Sequence, residues 1–206
     1  MSAEIAIINY GMGNLHSVYK KLKQVGANPL LATTKAEILA ADKIVLPGVG
    51  HFEKAIDNLK QLGVYDALNE AVLVKKTPIL GICLGMQLMA TESEEGNAKG
   101  FGWIKSTVKQ FKIENRLKYK VPQTGWNTIH ISKESKLLKG IENKSEFYFL
   151  HSYHYAETNP ADILTTTDFE YEFVSAVEKE NIYGTQFHPE KSHAAGTQLF
   201  KNFIAL

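Results

Sequence analysis

In its first half the chain alternates short, continuous apolar runs with stretches where apolar residues recur at helical spacing. EIAIINYG (4–11) reads as a buried strand closed by a glycine. GNLHSVYKKLKQVG then sets Leu15, Val18, Tyr19, Leu22 and Val25 on one helical face, with Gly26 as the stop. PLLATTK is a second strand candidate and ADKIVLPGVG (41–50) another, ending in Pro-Gly-x-Gly. HFEKAIDNLKQLG repeats the helical spacing through Phe52, Ala55, Ile56 and Leu59, and VYDALNEAV continues it. TPILGIC reads as a strand and LGMQLMA as the start of a helix. Strands that are apolar on both faces and separated by helices predict an α/β fold. Its central sheet is mostly parallel and covered by helices on both faces.

The second half changes character. From about Val108 to Asn127 the pattern is lysine-rich, with VKQFKI and LKYKVPQTGWNTIHI as strands. EFYFLHSYHYA (146–156) and FVSAVEKENIYGTQFHP (173–189) also read as strands. AAGTQLFKNFIAL closes the chain as a helix carrying Leu199, Phe200, Phe203 and Ile204. No Pro/Ser linker, repeat or low-complexity tract divides the chain. We therefore expect one domain over residues 1–206, with additional antiparallel strands from the second half extending or flanking the sheet.

Composition narrows the function classes. A chain of 206 residues, 44% hydrophobic, can bury one substantial core. A net charge of +1 argues against bulk nucleic-acid binding. The N-terminus lacks a basic segment followed by a long apolar one, and no apolar run approaches the ~18 residues of a membrane span. The expectation is a soluble, cytoplasmic protein with no membrane partner. The single arginine, Arg116, makes guanidinium forks a rare device here. The single cysteine, Cys83, excludes an intramolecular disulfide framework and any multi-cysteine metal site.

That cysteine stands in Gly81-Ile82-Cys83-Leu84-Gly85, where a strand turns at once into a helix. Flanking glycines relieve crowding at such an elbow and hold the side chain up at the carboxyl edge of the sheet, where α/β proteins bind ligands. Free N–H groups at the start of the helix favour a thiolate, and the Leu84 N–H is placed to stabilise an oxyanion. The alternative is a buried structural cysteine, but a packing residue needs no tight turn around it. A thiol nucleophile needs a base, and the base an orienter. GTQFHPEKS offers His188 and, two positions on, Glu190; in an extended stretch around Pro189 the two side chains face the same way. The Gly48-Val49-Gly50 loop leaves backbone N–H groups free and is a candidate second oxyanion donor.

Other patterns weigh less. YGMGNLHS has Gly11 and Gly13 but histidine at the third glycine position of a dinucleotide fingerprint, and no acidic residue closes the next strand. His151 and His154 in HSYH have metal-like spacing for a helix, but the segment reads as strand, so no metal or other cofactor is expected. The lysines from Lys105 to Lys120 read as a solvated face, with a partner surface as the lesser alternative.

Taken together, the elbow, the FHPE segment and the PGVG loop resemble the class I (triad) glutamine amidotransferases, whose fold is flavodoxin-like. NYGMGNLHSV, LPGVGHF, GICLGMQLM, GWN, FLHSYHY and QFHPEKS, in that order over nearly the whole chain, resemble one branch in particular. Its members supply ammonia to a (β/α)8-barrel synthase subunit in histidine biosynthesis. The resemblance implies Cys83, His188 and Glu190 as catalytic triad. It implies an oxyanion site from Leu84 and the Gly48, Val49, Gly50 loop, and glutamine contacts from Gln87, Glu95, Ser152 and Tyr153. Asn14, Trp126, Tyr148 and Lys191 match positions near the barrel partner, with which a heterodimer is implied. One segment departs from the family: V-P-H-M-G-W-N is usual, and this chain has Gln123-Thr124 in place of His-Met. The departure bears on the partner. A sister branch that amidates surface-polysaccharide sugars is the alternative, as is a stand-alone γ-glutamyl thiol hydrolase.

Overall fold

The computed structural model describes residues 3–206. The strands in chain order are β1 (Glu4–Ile8), β2 (Asn28–Ala32), β3 (Lys43–Gly48), β4 (Ile79–Cys83), β5 (Glu92–Ser93), β6 (Ala98–Lys99) and β7 (Thr107–Gln110). β8 (Gln123–Thr128), β9 (His130–Ile131), β10 (Glu146–His151), β11 (Tyr153–Ala156), β12 (Ile163–Phe169), β13 (Tyr171–Lys179) and β14 (Ile182–Thr185) follow. The helices are α1 (Leu15–Gln24), α2 (Lys35–Ala40), α3 (Phe52–Gln61), α4 (Tyr65–Asn69), α5 (Leu84–Gln87) and α6 (His193–Ala205).

β2, β1, β3, β4 and β14 lie side by side and all pair in parallel. Period-two alternation splits each strand between two buried layers. Ala6 and Ile8 face the side packed on α2, α3 and α4 through Ile38, Phe52, Ile56, Leu59 and Leu68. Ile5 and Ile7 face the side packed on α1 and α6 through Val18, Leu22, Leu199, Phe200 and Phe203. From β14 onward the sheet continues antiparallel through β13 and β11 to β7, with β12 on β13. The α/β sheet with helices on both faces and antiparallel strands from the second half is the predicted class.

Several local expectations need correction. Residues 146–156 are not one strand: β10 pairs with β8 in a separate two-stranded sheet, β11 joins the main sheet, and Ser152 is the break. The helix after the elbow, α5, is a single turn. It stops because the Leu88 and Ala90 carbonyls take the N–H groups of Phe101 and Gly102 instead. Residues 117–122 are an exposed connection and not strand. After α4 the chain widens into a π turn, Glu70–Val74.

Candidate active site

Register sets the site. Gly48 of β3 lies opposite Cys83 of β4, so the PGVG loop leaves the sheet beside the elbow. Thr185 of β14 lies opposite Ile82, so the chain running on to His188 passes the elbow on the other side. The glycines are steric necessities: a Cβ on Gly85 would run into the Leu46 carbonyl, and one on Gly81 would lie 2.7 Å from Met86 N. Cys83 itself holds φ 55° and ψ −110°, a strained backbone for an L residue. Its Sγ is 3.6 Å from the Leu150 carbonyl and accepts from Gln186 Nε2 at 3.6 Å. Because α5 is one turn long, the aligned dipole expected at the thiol shrinks to the few N–H groups that begin that turn.

His188 and Glu190 are both buried, and His188 Nδ1 donates to Glu190 Oε1 at 2.8 Å. Their approach does not come from strand alternation, as the sequence suggested. Pro189–Lys191 is a 3-10 turn that folds the carboxylate back under the ring. Further bonds hold the turn: His188 N donates to the Tyr148 carbonyl at 2.8 Å, and Ser192 Oγ to the His188 carbonyl at 2.6 Å. With Nδ1–H engaged, the neutral ring presents its lone pair at Nε2, which has no protein partner. The His188 pKa is raised. Burial opposes the charge, but the negative charge of a Cys83 thiolate and the bond and charge of Glu190 outweigh it.

A cavity of about 270 Å³ opens over the sulfur. Val49, Gly50, Cys83, Leu84, Gln87, Glu95, Ser152 and Tyr153 line it, joined by Pro122, Leu150 and His151. Eight residues singled out from the sequence thus line one cavity; Gly48 pairs with Cys83 on β3, and His188 and Glu190 are not among the lining residues. Gln87 Nε2 donates to the Tyr153 carbonyl and to Gln186 Oε1, both at 3.0 Å. Glu95 Oε2 accepts from Phe52 N at 2.8 Å, tying the cavity rim to the start of α3. Asn14, Trp126, Tyr148 and Lys191 line no part of it. Trp126 and Tyr148 meet edge to face at 6.0 Å on the paired strands β8 and β10, and Lys191 Nζ lies 5.2 Å over the Tyr148 ring. Asn14 sits at the start of α1, which packs on the Pro189–Lys191 turn.

Two residues of the site were missed. Gln186 bridges Gln87 and the sulfur, a role that only the β4–β14 pairing reveals. His151 donates from Nδ1 to the Tyr153 carbonyl at 2.7 Å, and burial pushes its pKa down to about 3, so it is a neutral wall. Its sequence signal, HSYH, had suggested only metal spacing. Among the described residues no group of three His, Cys, Asp or Glu is arranged to hold a metal ion, and no helix is long and apolar enough to cross a membrane.

The family model described as Glutamine amidotransferase class-I matches residues 6–206. The chain belongs to that family. As a class I glutamine amidotransferase it has full-length relatives. The imidazole glycerol phosphate synthase subunit HisH 2 of Methanococcus maripaludis is 48% identical over 97% of this chain and 98% of the relative. The protein of the same description from Pseudomonas aeruginosa is 44% identical over 98% of this chain and 99% of the relative. Among solved structures, that of PurLQS from Thermotoga maritima superposes on this amidotransferase with a TM-score of 0.75 at 15% identity, covering 100% of this chain and 99% of that one; this likeness is one of fold.

Proposed function

We propose that this amidotransferase is the glutaminase subunit of an imidazole glycerol phosphate synthase in histidine biosynthesis. The supporting observation is that Cys83 opens on a cavity of substrate size while the buried His188–Glu190 pair lies near enough for the thiolate charge to raise the imidazole pKa. Cys83 attacks the side-chain amide carbon of glutamine, forming a γ-glutamyl thioester as the C–N bond breaks. His188 gives its proton to the leaving ammonia, then takes one from the water that releases glutamate. Glu190 holds the His188 tautomer. The oxyanion rests on the Leu84 N–H and on one from Gly48-Val49-Gly50. Glu95 takes the substrate ammonium group, Gln87 the amide end, and the Ser152 and Tyr153 backbone the carboxylate. No arginine is needed for that carboxylate.

Free ammonia would protonate in neutral water and lose its nucleophilicity. A (β/α)8-barrel subunit docked over Asn14, Trp126, Tyr148 and Lys191, forming a heterodimer, would receive it without release. A second reading is amidation of a surface-polysaccharide sugar. It is favoured by Gln123-Thr124 standing where the family reads His-Met. One experiment tests both. With the barrel subunit of its own genome, Cys83→Ala should abolish product formation from glutamine and preserve it from ammonium salts. Loss of both would make Cys83 structural. Running the assay with the phosphoribosyl-carboxamide acceptor and with a keto- or carboxy-sugar acceptor separates the two readings.

A further inference from the structure

The β1–α1 loop, with its incomplete dinucleotide fingerprint, has no part in the chemistry above. The structure shows it closing over the glycine loop at the end of β3. Tyr10, 1% exposed, donates from Oη to the Pro47 carbonyl at 2.9 Å. Gly13 covers the same spot: a Cβ there would lie 3.2 Å from Pro47 O and 3.4 Å from Gly48 Cα. Met12 Cε reaches to 2.5 Å from where a Gly50 Cβ would stand. A Cβ on Gly48 would run into the Tyr10 hydroxyl. Asn58 Nδ2, from α3, donates to the Tyr10 carbonyl at 3.0 Å and fixes the clasp from behind.

We propose that Tyr10 is a positioning residue for the oxyanion loop, fixing the Pro47–Gly48 peptide from which Val49 and Gly50 run on to line the cavity. The proline ring fixes φ at Pro47, and the Tyr10 hydroxyl fixes the carbonyl. Gly48 is the last residue of β3, paired with Cys83, and Val49, 40% exposed, is the first beyond it. Burial, with the Cys83 charge adding to it, raises the phenol pKa, so the group remains a donor throughout the folded range. The effect on catalysis rests on the proposed glutaminase reading; the clasp itself does not.

The test uses Tyr10→Phe in the full chain, which keeps the ring and removes one hydrogen bond. Hydrogen exchange in a peptide spanning residues 46–52 should accelerate about three- to tenfold, the worth of one buried hydrogen bond, while the α6 peptide is unchanged. The kcat for glutamine hydrolysis should fall by about the same factor with KM within about twofold, because only the transition state uses the oriented N–H. If Tyr10→Phe does not fold, Met12→Ala, which removes the contact on Gly50, should speed exchange in the same peptide. Unchanged exchange at 46–52, or acceleration shared with α6, overturns the clasp. Accelerated exchange with kcat unchanged in an active enzyme overturns its link to catalysis. Accelerated exchange in a chain whose wild type hydrolyses no glutamine even with the barrel subunit bound upholds the clasp and sinks the glutaminase reading instead.

Discussion

His188 is buried between an acid and a thiol, and its protonation state is the most direct readout of the site. Its raised pKa means that the imidazolium survives above the ordinary histidine range of about 6.5. Burial alone would push the other way, so the lift depends on Cys83 and Glu190. Cys83→Ala should therefore lower the His188 titration midpoint, followed by the Cε1–H resonance in NMR. A midpoint unmoved by the substitution would place the thiolate too far from the ring to act as its partner. A pKa raised on folding stabilises fully below about pH 6.5, and the contribution is lost as pH climbs through the folded value. The stability gap between wild type and His188→Asn, from urea melts, should thus narrow from pH 6 upward.

At the scale of elements, the elbow rests on close approach of backbones. A Gly85 Cβ would strike the Leu46 carbonyl, part of β3 and unable to swing away. Gly85→Ala should cost about 3 kcal/mol as overpacking, a fall in Tm of roughly 6–12 °C for a chain of this size. A melt within about 2 °C of wild type would mean that α5 lifts freely off β3. This elbow was legible in the sequence, as were β1, β3, β4, α1 and α3, because strands buried on both faces are apolar throughout and surface helices keep a strict stripe. α2 was legible and overlooked: Thr34 and Glu37 form a capping box, with Thr34 N donating to Glu37 Oε2 at 2.9 Å. Other features were not written locally. The break at Ser152 falls inside an unbroken aromatic alternation, and only pairing with β8 on one side and β7 on the other splits it. β5 and β6, of two residues each, are too short to show a period. Glu190 was expected beside His188 for a mistaken reason, since a 3-10 turn and not strand alternation brings it there. Gln186 and His151 gain their places from partners far along the chain, 99 residues in the case of Gln87.

For the whole molecule, the question is how docking on one surface could reach the buried His188–Glu190 pair. The aromatic–cation patch is continuous: Trp126, 44% exposed, stacks on His193 at 4.9 Å and meets Tyr148, which lies beneath Lys191. Tyr148 also carries the carbonyl that accepts from His188 N, so one residue belongs both to the patch and to the frame of the base. A half-exposed tryptophan contributes little to folding and much to an interface that buries it. On the proposed docking face, Trp126→Ala should weaken binding of the barrel subunit by about thirtyfold, a hot-spot loss of roughly 2 kcal/mol, with little change in Tm. Lys191→Ala removes only the cation over the ring and should cost about two- to fivefold. Calorimetric titration of the two subunits measures both. Because Lys191 acts through Tyr148, adding Lys191→Ala to Tyr148→Ala should cost less than the sum of the two single losses. Equal affinities for wild type and Trp126→Ala would move the docking surface elsewhere. The bond from His188 N to Tyr148 would then be a brace for His188 alone.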